Sequence, residues 1–425
     1  MKKSLIAFAL FASATSAVAE QSCLSFEQTL ALSAKLDPAV AVARARSREA
    51  ASDLREAKSL YKPQINAFGR TGSGNTDVVD STIQNQIGLR ISQRVLDFGD
   101  ARYARRAANS NLEASKEDIR LARLAAAQES ALAFLAALNV QKQLDATAER
   151  QDYFRQQLES VDKLLDQGGA TLSERADVAA QLADAQAFYL ELQFQLQQAQ
   201  TRIAINTGNE QDLCPSNDLG GYLNAQVNTL PNSEAAVSLA LNESPTIKAL
   251  QNRADSFNAE YQREKRNRLP IIDVVGIASY SSLGSGSDFE LQDRIGIDVS
   301  VPLYTGSALG ARKQRSASRE AAARSELQDA RRQLREQVHI TWYRISSLER
   351  QLSSRETVVE QYRKQLDAAE MEYELGTRTL PDLVEVRLEY EQGNLARIQT
   401  EFDLLQQRVG LLVLTARLAV PKNLQ

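Results

Sequence analysis

Between Leu291 and Val301 the chain alternates: Ile295, Ile297, Val299 and Val301 take one set of positions, and Gln292, Arg294, Asp298 and Ser300 the other. A period of two belongs to a β-strand with one apolar and one polar face. A looser version runs from Ile83 to Ile91, where Ile83, Ile87, Leu89 and Ile91 alternate with Gln84, Gln86, Arg90 and Ser92. Upstream runs from Gln64 to Thr71 and from Ile271 to Tyr280 read as partner strands. Gly72-Ser73-Gly74-Asn75 and Gly284-Ser285-Gly286-Ser287 then supply the turns. The spacing predicts two β-hairpins, over about 64–93 and 271–303.

Elsewhere the period lengthens. Gly99 to Gln167 and Gly306 to Leu375 hold almost no glycine and no proline, so each predicts one helix of about 70 residues, about 100 Å long at 1.5 Å per residue. Val338, Ile345, Leu352, Val359, Leu366 and Tyr373 recur every seven residues in the second, and Ile119, Ala126, Ala133, Val140, Phe154 and Val161 fall in the same phase in the first. Returning helices follow, marked by Leu182, Tyr189, Leu196 and Ile203, and by Leu388, Leu395, Phe402 and Val409. Sustained heptads predict coiled-coil packing in two helical hairpins, about 99–206 and 306–415.

The two halves are copies. Tyr61-Lys62-Pro63-Gln64-Ile65 returns as Arg268-Leu269-Pro270-Ile271-Ile272, Ile87-Gly88-Leu89 as Ile295-Gly296-Ile297, and Leu96-Asp97-Phe98-Gly99 as Leu303-Tyr304-Thr305-Gly306, at offsets of 207 or 208. Repeats at a constant offset mean one structural unit used twice. Residues 20–207 make the first repeat, 208–244 a linker and 245–425 the second.

At the hairpin tips, Gly168-Gly169 and Gly376 end the outgoing helices in a conformation that glycine adopts without strain. Thr171 or Ser173, and Thr377 or Thr379, are candidate caps for the returning helices. Glu174, Asp177, Asp382 and Glu385 then sit where the helix dipole favours acids, and need no further role on that account.

Lys2 and Lys3 followed by apolar residues from Leu5 to Val18 and Ala17-Val18-Ala19 read as a secretory signal over 1–19. No later stretch is read as reaching the length of apolar residues that a spanning helix needs. The formal charge is −4, which points away from nucleic acid as a partner. Cys23 and Cys214 are the two cysteines of an exported chain. A disulfide between them is the preferred reading and two free thiols the alternative. Glu20-Gln21-Ser22 before Cys23 do not fit a lipoprotein signal, so acylation is not expected.

Four strands per chain cannot close a barrel, for which about eight are needed. An open sheet with an apolar outer face would leave unpaired edges that hydrocarbon does not tolerate. Two copies would give a filled barrel of eight strands, and three a barrel of twelve with room for water. The polar face of Gln84, Gln86, Arg90, Arg294 and Asp298 prefers three.

The signal, the duplication, the junction Val301-Pro302-Leu303-Tyr304-Thr305-Gly306 and above all Leu375-Gly376-Thr377-Arg378-Thr379-Leu380 resemble the TolC family of outer-membrane export ducts. The resemblance spans nearly the whole mature chain. It implies an α+β membrane protein: a homotrimer with a 12-stranded outer-membrane β-barrel, four strands per chain, on a long periplasmic α-helical coiled-coil barrel, with residues 208–244 and the termini in an equatorial belt where Cys23 and Cys214 meet. Asp382 and Glu385 match the acids that line the periplasmic entrance, and six carboxylates around one axis would attract polyvalent cations. The resemblance also implies a latch, in which Tyr373 and Arg378 of the second hairpin bond to Ser173 and Glu174 of the first. Gly168, Gly169, Gly376 and Thr377 would present the tips to an adaptor.

The implied function is a passive exit duct in a tripartite system, with a periplasmic adaptor (membrane fusion) protein and an inner-membrane transporter, ABC or proton-driven, as partners. Type I protein secretion is preferred because the non-acylated N-terminus resembles that branch. Drug or metal efflux is the alternative, and a periplasmic coiled-coil structural or adaptor protein is the reading from another class. His339 reads as a packed or solvated mid-helix residue. Phe68, Phe98, Tyr280, Phe289 and Tyr304 are divided between an interfacial aromatic belt and loop packing. No phosphate loop, metal-ligand spacing or nucleophile–histidine pair is present, so no cofactor and no enzyme activity are expected.

Overall fold

The computed structural model describes residues 23–76, 79–210, 213–214, 219–283 and 290–418. The signal predicted over 1–19, the turn Gly284 to Ser287 and Phe289 lie outside them. In chain order the first repeat holds α1 (Phe26–Leu36), α2 (Pro38–Ser59), β1 (Gln64–Thr76), β2 (Val79–Leu96), α3 (Asp100–Asp166) and α4 (Leu172–Thr207). Then follow α5 (Leu219–Val227), α6 (Ser233–Glu243), α7 (Pro245–Glu264), β3 (Ile271–Leu283), β4 (Glu290–Ser300), α8 (Ala308–Glu374) and α9 (Leu380–Leu414).

The four strands form one antiparallel sheet in the order β1-β2-β3-β4. Its register puts Ile65, Ile91, Gly276 and Ile295 in one row across the sheet and Asn66, Arg90, Ile277 and Arg294 in the next. Successive rows face opposite sides, so the alternation seen in the sequence becomes one apolar and one polar surface. The apolar surface is bare: Ile295 is 86% exposed and Ile297 68%. Phe68 falls on the polar side, in the row of Gly88 and Ser279, with the Arg70 guanidinium over its ring, so it is not part of an outward aromatic belt. Gly72 to Asn75, expected as a turn, are strand instead. Pairing with β2 along that length outweighs the local turn preference of glycine and asparagine.

Crowding at Gly88 ties the two hairpins together. A Cβ there would lie 2.6 Å from the Ala278 carbonyl oxygen and 2.6 Å from the Ser279 Cβ, so only glycine lets β2 approach β3 so closely. Below the sheet, Asp97 takes the amides of Gly99 and Ala101 at 2.9 and 2.8 Å and the Tyr61 hydroxyl at 2.5 Å. Phe98 and Gly99 take left-handed conformations that turn the strand into α3.

Both long helices are 67 residues, and the heptad positions face inward. Ala126, Ala133, Val140, Phe154, Val161, Val338, Ile345 and Leu366 are all buried. The main core lies midway down the helices, where Phe26 and Leu30 of α1, Phe134 of α3, Leu223 of α5, Val237 of α6 and Phe402 of α9 meet. Residues 208–244, read as a linker, thus contribute two helices to this core. Against expectation, one window of α3 is long and apolar enough by composition to cross a membrane. Its alanines raise the count, and with 44% of the window buried and Ala127, Ala131, Phe134 and Leu135 in the core, it is a packing helix. Cys23 and Cys214 are joined by a disulfide at this level, beside the Leu24–Leu213 bridge.

Candidate gate at the tips of the helical hairpins

The first tip turns at Gly168, whose φ of 75° is left-handed, and the second at Gly376, with φ of 74°. Each returning helix then starts from a threonine. Thr171 caps α4, and its amide and hydroxyl each donate to the Glu174 carboxylate at 2.8 Å. These bonds, the backbone one foremost, hold the Glu174 carboxyl below its ordinary range. Thr379 caps α9, with its hydroxyl donating to Asp382 at 2.6 Å. Pro381 in the first turn suits a helix start, where its missing N–H costs nothing. Glu385 is one turn further on and exposed.

The residues expected to form the latch are differently engaged in the protomer. The Arg378 Nε donates to Glu372 of its own hairpin at 2.8 Å, instead of reaching Ser173 or Glu174. The left-handed turn at Gly376 folds the chain back so that Thr377 also bonds the Glu372 carbonyl, which places Arg378 over that acid. Glu174 is taken by its own cap, and Ser173 is exposed with no side-chain hydrogen bond among the described residues. Tyr373 is the member that reaches across: it packs against the clusters of both hairpins, and its hydroxyl is pushed up by burial and then by the nearby Glu174 charge. Gly168, Gly169, Gly376 and Thr377 are exposed at the ends.

Behind the tips the two hairpins are locked by apolar and then by ionic contacts. Leu380 and Val384 of α9 are buried with Phe154, Val161 and Val178 of the first hairpin. Further in, Arg150 of α3 donates to Gln181 at 3.1 Å and Asp184 at 2.9 Å on α4. Its Nε lies 3.0 Å from Glu391 of α9, without the alignment of a hydrogen bond. Arg387 donates to Glu391 at 2.7 Å and lies 4.3 Å over the Tyr153 ring. Burial pushes the Glu391 carboxyl up, against the pull of Arg387 and Arg150. The sequence reading missed this knot. Arg387 and Glu391 have helical spacing, but nothing local marks Arg150 or Asp184 as their partners.

Among the described residues, no group of three or more His, Cys, Asp or Glu side chains is placed to hold a metal. His339 stacks on Tyr343 and lies 3.7 Å from Glu234. The arrangement is a pair of capped, acid-tipped hairpins hung from a sheet that is incomplete in one copy.

The sequence profile of the outer membrane efflux proteins matches residues 30–209 and 236–417, which follows the two repeats. Outer membrane efflux protein BepC of Brucella suis is 23% identical over 367 residues, 85% of this chain and 78% of BepC. The alkaline protease secretion protein AprF of Pseudomonas aeruginosa is 22% identical over 59% of this chain and 53% of its own. Among solved structures, the Vibrio cholerae outer membrane protein VceC superposes with a TM-score of 0.78 at 17% identity, over 92% of this chain and 95% of VceC. The Campylobacter jejuni CmeC outer membrane channel gives 0.77 at 16% identity, over 92% and 85%. Fold and family are those of outer-membrane channels, which sets aside the periplasmic structural or adaptor reading. With matched segments that cover most of both repeats, the chain belongs to the outer membrane efflux protein family, the TolC-like family that its duplicated tips resemble.

Proposed function

We propose that three copies of this chain form the exit duct of a type I secretion system, which passes an unfolded polypeptide from an ABC transporter and its adaptor through the outer membrane. The observation that carries the duct is the four-stranded sheet itself: a bare apolar face and two unpaired edges, which only further copies in lipid satisfy. Three copies give twelve strands around a polar lumen, and the exposed tips offer Gly168, Gly169, Gly376 and Thr377 to the adaptor. The choice of cargo rests on Cys23. Its sulfur is engaged with Cys214 and so is not available for the thioether of a lipid anchor. Efflux of small molecules, drug or metal, with a proton-driven transporter is the second reading, favoured by the name of BepC.

At the entrance, Asp382 and Glu385 form the constricting ring, and Tyr373 beside Glu174 is the contact across which the hairpins part. Arg378 holds Glu372 through its Nε and keeps its Nη donors for Ser173 or Glu174, so the turn contact orients the side chain from which the latch would form. In planar bilayers the wild-type protein is expected to conduct with cation preference and to be blocked by polyvalent cations. Asp382→Asn with Glu385→Gln should remove both properties, and unchanged block would remove the ring. Deleting the gene should clear one protein from the culture medium. Intact secretion together with new sensitivity to drugs or metals would favour the efflux reading.

A further inference from the structure

Sheet and upper helices are ordered alike in one copy. The strands lie β1-β2-β3-β4, and the helices that enter or leave them pack α2 on α3, α3 on α7 and α7 on α8. Hence α2 and α8 are the free margins of the helical wall, as β1 and β4 are of the sheet. The internal repeat indicates what each margin fits. Moving β1 by 207 residues and β2 by 208 turns the pair Ile65↔Ile91 into Ile272↔Val299, which the structure makes. The shift of 208 also carries Asp100–Asp166 onto Ala308–Glu374. One contact has no counterpart inside the chain: β2 and α3 against β3 and α7. Under the same shifts its counterpart is β4 and α8 of one copy against β1 and α2 of another.

We propose that successive copies join in this register, and that the seam is closed by three pairs of opposite charge: Asp298 to Arg70, Arg315 to Glu49, and Glu326 to Arg46, the second residue of each pair coming from the next copy. The proposal rests on the ring reading above and assigns its residues. Each pair is the image of an observed contact. Arg90↔Ile277 becomes Asp298 opposite Arg70. The Ser256 hydroxyl, which donates to the Ala107 carbonyl at 2.9 Å, becomes Glu49 beside Arg315. The 2.6 Å ion pair of Arg253 with Asp118 becomes Arg46 beside Glu326.

Only the last template is itself an ion pair, so the complementarity of the other two is not inherited from the first repeat. All six side chains are exposed in the single copy, and none has an ion pair among the described residues. Two neutral positions agree. Gly88 is crowded by Ser279, whereas its image Gly296 has nothing within 4 Å in one copy, and the seam would set it against Gly72 of the next. Val42, 51% exposed, is the image of Ala249, 1% exposed between helices. Opposite charges at fixed heights also oppose a slipped register and the pairing of like margins.

The test joins Glu49→Cys with Arg315→Cys. In one chain these positions lie on the first and last helices of the order α2-α3-α7-α8, only a bond between copies raises the mass on a gel, and the native cysteines are already bridged. Mild oxidation of membranes is expected to give a covalent ladder up to the trimer on non-reducing gels from the double variant alone. No ladder from a protein that native mass spectrometry shows to be trimeric overturns the seam. A wild-type protein that is monomeric in that measurement overturns the ring reading instead. In a second arm, Glu326→Arg should lower by several degrees the temperature at which the trimer falls apart, and adding Arg46→Glu should restore it. A double variant no better than the single one removes that pair.

Discussion

Glu174 shows how much a single exposed carboxylate can be held by its own turn. Its pKa is depressed in the fold, so its contribution is present above the ordinary value of 4.5 and is lost as pH falls through the folded value. The protection factors of the Thr171 and Glu174 amides, meaning exchange relative to the intrinsic rate at each pH, should therefore fall in acid, and Glu174→Gln should flatten that dependence. Gly88→Ala tests a different residue-scale constraint. With Ser279 Cβ and a backbone oxygen at 2.6 Å, the added methyl must part β2 from β3, at about 1–3 kcal/mol, the usual cost of overpacking. The proposed trimer should then dissociate at a lower temperature, whereas Gly69→Ala, where nothing lies within 4 Å, should not change it. Caps such as Thr171 and Thr379 were legible in the sequence because capping is local. The partner of Arg378 was not, because Glu372 comes within reach only after the left-handed turn at Gly376.

Among elements, the knot of Arg150, Arg387 and Glu391 joins the two hairpins behind the tips. Removing the shared acid strands the charges that face it, so Glu391→Ala, which leaves Arg150 and Arg387 without it, should cost about 3–5 kcal/mol in denaturant unfolding. Replacing Arg150, Arg387 and Glu391 together by methionine should cost much less, because no buried charge of the knot is left unpaired. Acid acts differently from mutation here. Since burial raises the Glu391 carboxyl, its ionised form bears a desolvation cost that ends as pH falls through the raised value, where the neutral carboxyl can still accept from the Arg387 guanidinium, which stays charged. The long helices were legible from a seven-residue period unbroken by glycine or proline. The strand through Gly72 to Asn75 was not, because pairing across the sheet overrode a composition that favours turns. Nor were α5 and α6 anticipated within a segment read as a linker.

At the scale of the whole molecule, the disulfide closes a loop of 191 residues and fastens the start of α1 to the segment after α4. Cys23→Ser with Cys214→Ser should lower stability by about 2–5 kcal/mol, measured by denaturant unfolding in detergent. The need for several copies could be read from the sequence, since four alternating strands per chain are too few for a barrel whatever their register. The core around Phe134 and Phe402 could not, because its members come from seven helices far apart in the chain. The equal length of α3 and α8, 67 residues each, has a mechanical corollary. At 1.5 Å per residue both run about 100 Å, so the two hairpins end at about the same distance from the sheet. An insertion of one heptad in α8 alone would leave that hairpin about 10 Å proud of its neighbour. Any variation in the gap below must accordingly be taken up by whatever meets the rim.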